Sequence, residues 1–206
     1  MSEQGTRNAY GERAEEYARL LGSVDRMAAE DRRRIETWAA RTDGVSCGLL
    51  LDLGCGPGHW AAHLASRGHR VRGIDPVPGF IELAHDTHPG VAFSVGDVFA
   101  PAIGEPTCSG VLAWYSLIHL EPARMRAALA SIVRMLRPGG TLLLGFFDGA
   151  RLEPFDHVIT TAHYWPVGQL ESLFEDVGLT VTDVEQRTDP GARPHGAIEA
   201  RRELRS

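Results

Sequence analysis

The chain contains no lysine, and all 21 of its basic residues are arginine. That absence excludes a Schiff-base lysine, a phosphate-loop lysine and the Tyr/Lys pair of many oxidoreductases. Cysteine is scarce as well. Cys47, Cys55 and Cys108 are odd in number and lack paired spacing, which argues against a disulfide framework and a zinc site. No apolar run approaches the ~18 residues that a bilayer-spanning helix needs. The N-terminal stretch MSEQGTRNAYGERAEEYARLL is too polar for a secretion signal. A basic surplus is missing too: the formal net charge is −6, the wrong sign for a nucleic-acid partner. The expectation is a cytoplasmic protein, monomer or homodimer, with no membrane or nucleic-acid partner.

What is present is a chain of 206 residues, room for one domain with one core. Residues 9–41 are rich in Ala, Arg, Glu and Leu and read as helical, with a break at Gly22. From residue 49 strands and helices alternate. Apolar strands are expected at 49–53, 70–74, 91–95, 110–115 and 141–147, with helices at 59–67, 80–86 and 122–136. Such alternation implies a parallel sheet covered by helices on both faces. The end of the chain breaks the rhythm. A helix at 166–178 is followed by strands at 179–186 and 197–203, joined by a link too short for a parallel crossover. The fold class is therefore α/β, a Rossmann-like three-layer αβα sandwich whose mostly parallel sheet ends in an antiparallel hairpin. Residues 149–165 are long, aromatic and poorly periodic, as functional loops often are.

Between the first strand and the first helix of the alternating region lies Asp52-Leu53-Gly54-Cys55-Gly56-Pro57-Gly58. Glycines there allow a sharp turn and the close approach of a ligand. A dinucleotide site wants a third glycine where this chain has His59, and here an acid, Asp52, stands two residues before the first glycine. The turn and its neighbours resemble the class I S-adenosylmethionine-dependent methyltransferases. The likeness covers LLDLGCGPGHWAAHLASRGHRVRGIDP, the GDV at 96–98, WYSLIHL at 114–120 and LRPGGTLLL at 136–144, in that order.

The resemblance implies one domain over residues 1–206, with a helical lid at 1–42 and a substrate-side insertion at 149–165. It implies methyl transfer from S-adenosylmethionine to a small-molecule acceptor by in-line displacement. Gly54, Gly56 and the Asp52 backbone are expected against the methionine arm, with Trp114 and Tyr115 beneath it. Asp75 is expected on the ribose hydroxyls and Asp97 on the adenine amino group, with Val98 or Phe99 over the adenine face. Tyr10 and Tyr17 resemble helix residues that close over the cofactor.

On the acceptor side, His119 and His157 are expected to act as base or orienter, because imidazole titrates near working pH. Tyr164, Trp165 and His195 are expected to bind the substrate. His59 and His63 have the i, i+4 spacing of metal ligands but no third partner, so no metal is expected. Two rival readings stay open: a catalytically inactive cofactor-binding protein of the same fold, and a nicotinamide-dependent oxidoreductase.

Overall fold

The computed structural model describes residues 3–13, 24, 27–43, 48–101 and 107–204. Five apolar strands form its centre: β1 (Leu49–Leu53), β2 (Val71–Asp75), β3 (Ala92–Val95), β4 (Cys108–Trp114) and β5 (Leu136–Asp148). They pair in parallel in the order β3-β2-β1-β4-β5. Successive side chains of a strand point to opposite faces, so each strand feeds two cores. Leu50, Leu112 and Leu143 pack on one face with Trp38, Trp60 and Leu64. Those partners belong to α2 (Ala29–Asp43) and α3 (His59–Ser66). Leu51, Val111, Leu142 and Leu144 pack on the other face with Met125, Ile132, Leu170 and Phe174. These come from α5 (Pro122–Met135) and α6 (Val167–Asp176). A smaller cluster joins Ala61 of α3 to Ile81 and Ala84 of α4 (Pro78–Thr87) around Cys55 and Phe93. The three layers read from the sequence are present.

The fifth strand begins earlier than expected. Cys108 pairs with Leu136 but Gly110 with Thr141, so residues 137–140 form a bulge, with Gly139 at φ 78°. The chain then closes as an antiparallel hairpin, β8 (Leu179–Arg187) and β9 (His195–Arg202), and β9 lies antiparallel to β5 from Thr141↔Arg201 to Phe147↔His195. Arginines fasten α2 to this hairpin: Arg34 pairs with Asp183, Arg41 with Glu199, and Arg187 with Asp31.

Residues 149–165 are not the irregular loop that their pattern suggests. Most of them form a hairpin, β6 (Glu153–Asp156) and β7 (Thr161–Trp165). The cause lies in β5, whose pairing with β4 stops at Gly145. β7 takes the exposed edge beyond it, pairing Tyr164 with Phe147 and Trp165 with Asp148. This register sends the Trp165 side chain into the main core, where it is 3% exposed.

No described helix is long and apolar enough to cross a membrane. One helix, α1 (Glu3–Glu12), stands apart from the layers and crosses the carboxyl ends of the strands.

Helix α2 approaches the sheet closely at Gly110 on β4. A Cβ there would lie 2.7 Å from Trp38 Cζ2 and 2.9 Å from Leu50 Cδ2, while Trp38 Nε1–H donates to Thr141 Oγ1 at 3.0 Å. Gly110→Ala should therefore destabilise the fold by about 1–3 kcal/mol through overpacking. Urea denaturation checks this, and an unchanged midpoint would contradict the packing described.

Candidate functional site

The strand order reverses between β1 and β4, and open α/β sheets bind ligands in the crevice at such a switch point. A cavity of about 320 Å³ opens there. Its floor is the end of β1, with Asp52, and the loop after it, with Gly54 and Gly56. Asp75 and Pro76 at the end of β2 and residues 114–116 at the end of β4 form the sides, and Arg7 and Tyr10 of α1 cover it. A second cavity of about 110 Å³ adjoins it, walled by Asp97, Val98, Phe99 and Leu120. Arg7, Gly54, Pro76, Ser116 and His119 line both.

The loop geometry follows from its glycines. Gly54 has φ 72° and Gly56 φ 53°, in the left-handed region where a Cβ is penalised. At Gly54 a Cβ would also collide with the Ser116 side chain. Ser116 is brought there by Tyr115, the one described non-glycine residue with positive φ (53°), a conformation that costs roughly 1–3 kcal/mol. The Tyr115 N–H still donates to the Gly145 carbonyl at 3.2 Å.

Asp75 ties this loop to the next strand. Its Oδ2 accepts from the Gly56 N–H and its Oδ1 from the Val77 N–H, both at 2.9 Å. Burial pushes its carboxyl up to about 6, against the pull of those two N–H groups and Arg7. Asp52 lies deeper. Burial, reinforced by the neighbouring Asp75 charge, pushes it up to about 7, and its Oδ2 has no hydrogen-bond partner among the described residues. Asp97 is engaged on both oxygens. Oδ1 accepts from the Phe99 and Ala100 N–H groups at 2.8 and 2.9 Å, and Oδ2 pairs with Arg7.

The two histidines assigned to the acceptor side do meet, with ring centroids 5.1 Å apart, and both line the larger cavity. His119 is held at both ends. Its Nδ1–H donates to the Thr161 carbonyl at 2.8 Å, which leaves Nε2 to accept from the Tyr10 hydroxyl at 2.8 Å. Burial, with His157 and His163 nearby, pushes His119 down to about 4 despite the Thr161 bond, so the ring is neutral at physiological pH. His157 is also pushed down by burial and by the Arg193 charge, and its buried Nδ1 has no partner among the described residues.

Other expected residues fall elsewhere. Trp165 is a core side chain for the register reason given above and does not reach the cavity. Tyr164 is also outside it; its hydroxyl accepts from Arg193 at 2.8 Å and its ring packs 4.3 Å from Phe155. His195 stands behind the wall, edge-on to Tyr115 at 6.4 Å, with Nδ1–H on the Arg193 carbonyl. Tyr17 lies outside the described residues. His63 pairs with Glu36, and no group of three metal-ligating side chains occurs among the described residues.

The sequence reading missed several wall residues. Ser116 and Ile118 sat inside the WYSLIHL motif, and Phe147 at the carboxyl end of a strand, where such a fold exposes its site. Met27, Asp31 and Phe80 carried no local signal, because the packing of α2, the turn before it and α4 brings them to the wall.

Residues 50–140 match a family described as a methyltransferase domain. Among curated proteins the chain is similar to malonyl-[acyl-carrier protein] O-methyltransferase of Serratia marcescens, 29% identical over 140 residues, which span 68% of this chain and 54% of that one. It is also similar to 2-heptyl-1-hydroxyquinolin-4(1H)-one methyltransferase of Mycobacteroides abscessus, 34% identical over 113 residues, 52% of this chain and 49% of that one. The match thus spans about half the length of both relatives. A solved structure of similar fold is the 1,6-didemethyltoxoflavin-N1-methyltransferase of Burkholderia thailandensis, with bound 1,6-didemethyltoxoflavin and S-adenosylhomocysteine. It superposes at a TM-score of 0.77 over 98% of this chain and 91% of that one, with 21% identity.

The geometry at His119 has a direct consequence. In a ¹⁵N NMR titration its ring should stay neutral and Nδ1-protonated from neutral pH down to about 4. Tyr10→Phe removes the hydroxyl that binds the neutral form at Nε2, so its pKa should rise. A ring that titrates at the ordinary value of 6.5 in the unaltered chain would contradict this placement.

Proposed function

Because the chain belongs to the class I S-adenosylmethionine-dependent methyltransferases, we propose that it methylates a free small molecule by in-line displacement. S-adenosylmethionine, the methyl donor of the family, supplies a methyl group already activated on a cationic sulfur. What carries the reading is the joining of two compartments at one wall. Gly54, Ser116 and His119 line both cavities and link the acids at the strand ends to an aromatic, histidine-bearing chamber.

The residues fit the donor. Asp52 Oδ2 and Ser116 Oγ are buried at this wall without partners among the described residues, and an unpaired buried polar group costs roughly 1–3 kcal/mol. A cationic amino group answers the first of these. Asp75 is assigned to the ribose diol and Asp97 to the adenine amino group, with Val98 and Phe99 against the adenine face. The amino group then competes with Arg7 for Asp97 Oδ2. Gly54 and Gly56 let the methionine arm approach the backbone, above Trp114 and Tyr115.

The protein's own contribution is alignment, which in well-oriented reactions removes ~7–11 kcal/mol of barrier. His119, fixed by Tyr10 and Thr161, acts as an orienter. His157 is the group able to take a proton. The relative from Serratia is named for a carrier-protein substrate and that from Mycobacteroides for a hydroxyquinolone; the aromatic chamber here favours an acceptor of the second kind. Cys55 and Cys108, both free and buried, suit the reducing cytoplasm.

The test is release of S-adenosylhomocysteine from S-adenosylmethionine across a panel of small acceptors. Turnover dependent on an acceptor supports the reading, and cofactor binding without turnover on any acceptor class favours the inactive alternative. Asp75→Asn should weaken cofactor binding by about 1.5–3 kcal/mol, read by calorimetry. The ribose hydroxyls donate to the ionised carboxylate. In the unaltered chain, affinity should therefore fall as pH drops through about 6, with proton release on binding. An Asp75→Asn variant of unchanged affinity would remove the ribose assignment.

Helix α1 holds Asp97 through Arg7 and His119 through Tyr10, so it is proposed to cover the bound cofactor. Its amide exchange should slow when S-adenosylhomocysteine binds, and equal protection in both states would count against a lid.

A further inference from the structure

Arg193 lies on the connection between β8 and β9, two residues before β9 begins. The backbone beneath it is pinned. The Arg193 carbonyl accepts from His195 Nδ1–H at 3.0 Å, and the next carbonyl, that of Pro194, accepts from the Asp148 N–H at 3.0 Å. The side chain crosses to the β6–β7 hairpin and is held there at three points. Nη1 donates to the Tyr164 hydroxyl at 2.8 Å, Nη2 donates to the Asp156 carbonyl at 3.3 Å, and the guanidinium carbon stands 4.5 Å over the centre of the Phe155 ring.

Both of those oxygens are neutral, so the contacts position the guanidinium without cancelling its charge. Arg7, Arg34, Arg41 and Arg187 each meet a carboxylate, whereas Arg193 meets none among the described residues. Acids on the flanking segments are already engaged: Asp189 with Arg187 at 3.0 Å, and Asp148 with the Gln186 amide at 2.7 Å. A guanidinium carries five N–H donors. Two are used here, and the remaining three, Nε–H among them, are enough to grip a carboxylate at two points.

The guanidinium stands at the rim of the acceptor end. Phe155, beneath it, packs 5.1 Å from Phe147, which lines the larger cavity. Arg193 itself is exposed and outside that wall, yet its charge reaches His157 on the wall and adds to the burial that pushes the ring's pKa down. At the strand ends the same cavity carries Asp52 and Asp75. Acids at one end and a held cation at the other give the chamber a direction. An anionic group is repelled from the strand ends and drawn to the rim.

We propose that Arg193, stacked on Phe155, is the receptor for a carboxylate carried by the acceptor at a distance from the atom that is methylated. This rests on the methyltransferase reading above and adds a second handle to it. An acceptor held in this way points its carboxylate outward and its opposite end toward the histidines. The carboxylate is a recognition group and takes no part in the transfer, so Arg193 determines specificity and is not a catalytic residue.

The experiment uses the full chain saturated with S-adenosylhomocysteine and two probes of one shape, 6-hydroxy-2-naphthoate and its uncharged amide, 6-hydroxy-2-naphthamide. Calorimetry at neutral pH should show the carboxylate binding at least about fivefold more tightly than the amide, with a margin that shrinks as salt is raised. Arg193→Gln should erase that margin by weakening the carboxylate, while the affinities for the amide and for S-adenosylhomocysteine stay within about twofold. Arg193→Lys keeps the charge but not the planar fork, and should retain only part of the margin. A merely structural role for Arg193, through Tyr164 and the hairpin, would instead weaken both probes alike. That result, equal or tighter binding of the amide, a margin that survives Arg193→Gln, or binding of neither probe would overturn the inference. Failure of S-adenosylhomocysteine to bind at all would overturn the methyltransferase reading beneath it, and the inference with it.

Discussion

One buried carboxylate sets the geometry on which the site depends. Asp75, at the end of β2, accepts hydrogen bonds from Gly56 in the loop after β1 and from Val77 at the start of α4. Two connections that would otherwise drift are thereby held to one strand end. A third connection is fixed sterically, because the Ser116 side chain packs onto the bare Gly54 and Tyr115 is forced into a left-handed conformation to bring it there. The crevice at the switch point is thus preformed by contacts within the protein. Its carboxyl groups are held in low-dielectric surroundings, where both Asp52 and Asp75 ionise reluctantly. Carboxyl groups so placed suit a ligand that brings positive charge and hydroxyl donors, as proposed above.

A second constraint runs through arginine. With no lysine in the chain, every long cationic contact is made by a guanidinium, which pairs with carboxylates in a fixed planar geometry. Arg34, Arg41 and Arg187 fasten α2 to the C-terminal hairpin, and Arg7 fastens α1 to Asp97. The first group joins two regions distant in sequence and brings Asp31 and Met27 to the cavity wall. The same pairing keeps those guanidinium groups from serving as anion receptors.

Much of the fold was legible in the sequence because parallel strands buried on both faces leave continuous apolar runs, as at 49–53 and 141–147. The C-terminal hairpin was legible for a different reason, chain length: too few residues lie between 187 and 195 for a crossover. The hairpin at 153–165 was not. Its strands are short, half exposed and interrupted by Pro154, and β7 exists because β5 outruns β4, a fact of register rather than of local pattern. The misplacement of Trp165 has the same origin, since a strand sends alternate side chains to opposite faces and the segment was read as a loop.

The site shows the same division. Gly54, Gly56, Asp75 and Asp97 stand at strand ends, where motif order alone locates them. His119 and His157 reach the same chamber from residues 38 positions apart in sequence, yet only the structure separates their states. One is bonded at both nitrogens, while the buried Nδ1 of the other has no partner among the described residues, a difference decided by Tyr10 and Thr161 from two other elements.

Everything proposed for the crevice depends on which ligand the glycine loop and Asp75 hold. Calorimetric titration of the purified chain with S-adenosylmethionine and, separately, with NAD decides this. Saturable one-to-one binding of S-adenosylmethionine and no binding of NAD are expected. Binding of NAD with no response to S-adenosylmethionine would contradict the assignment.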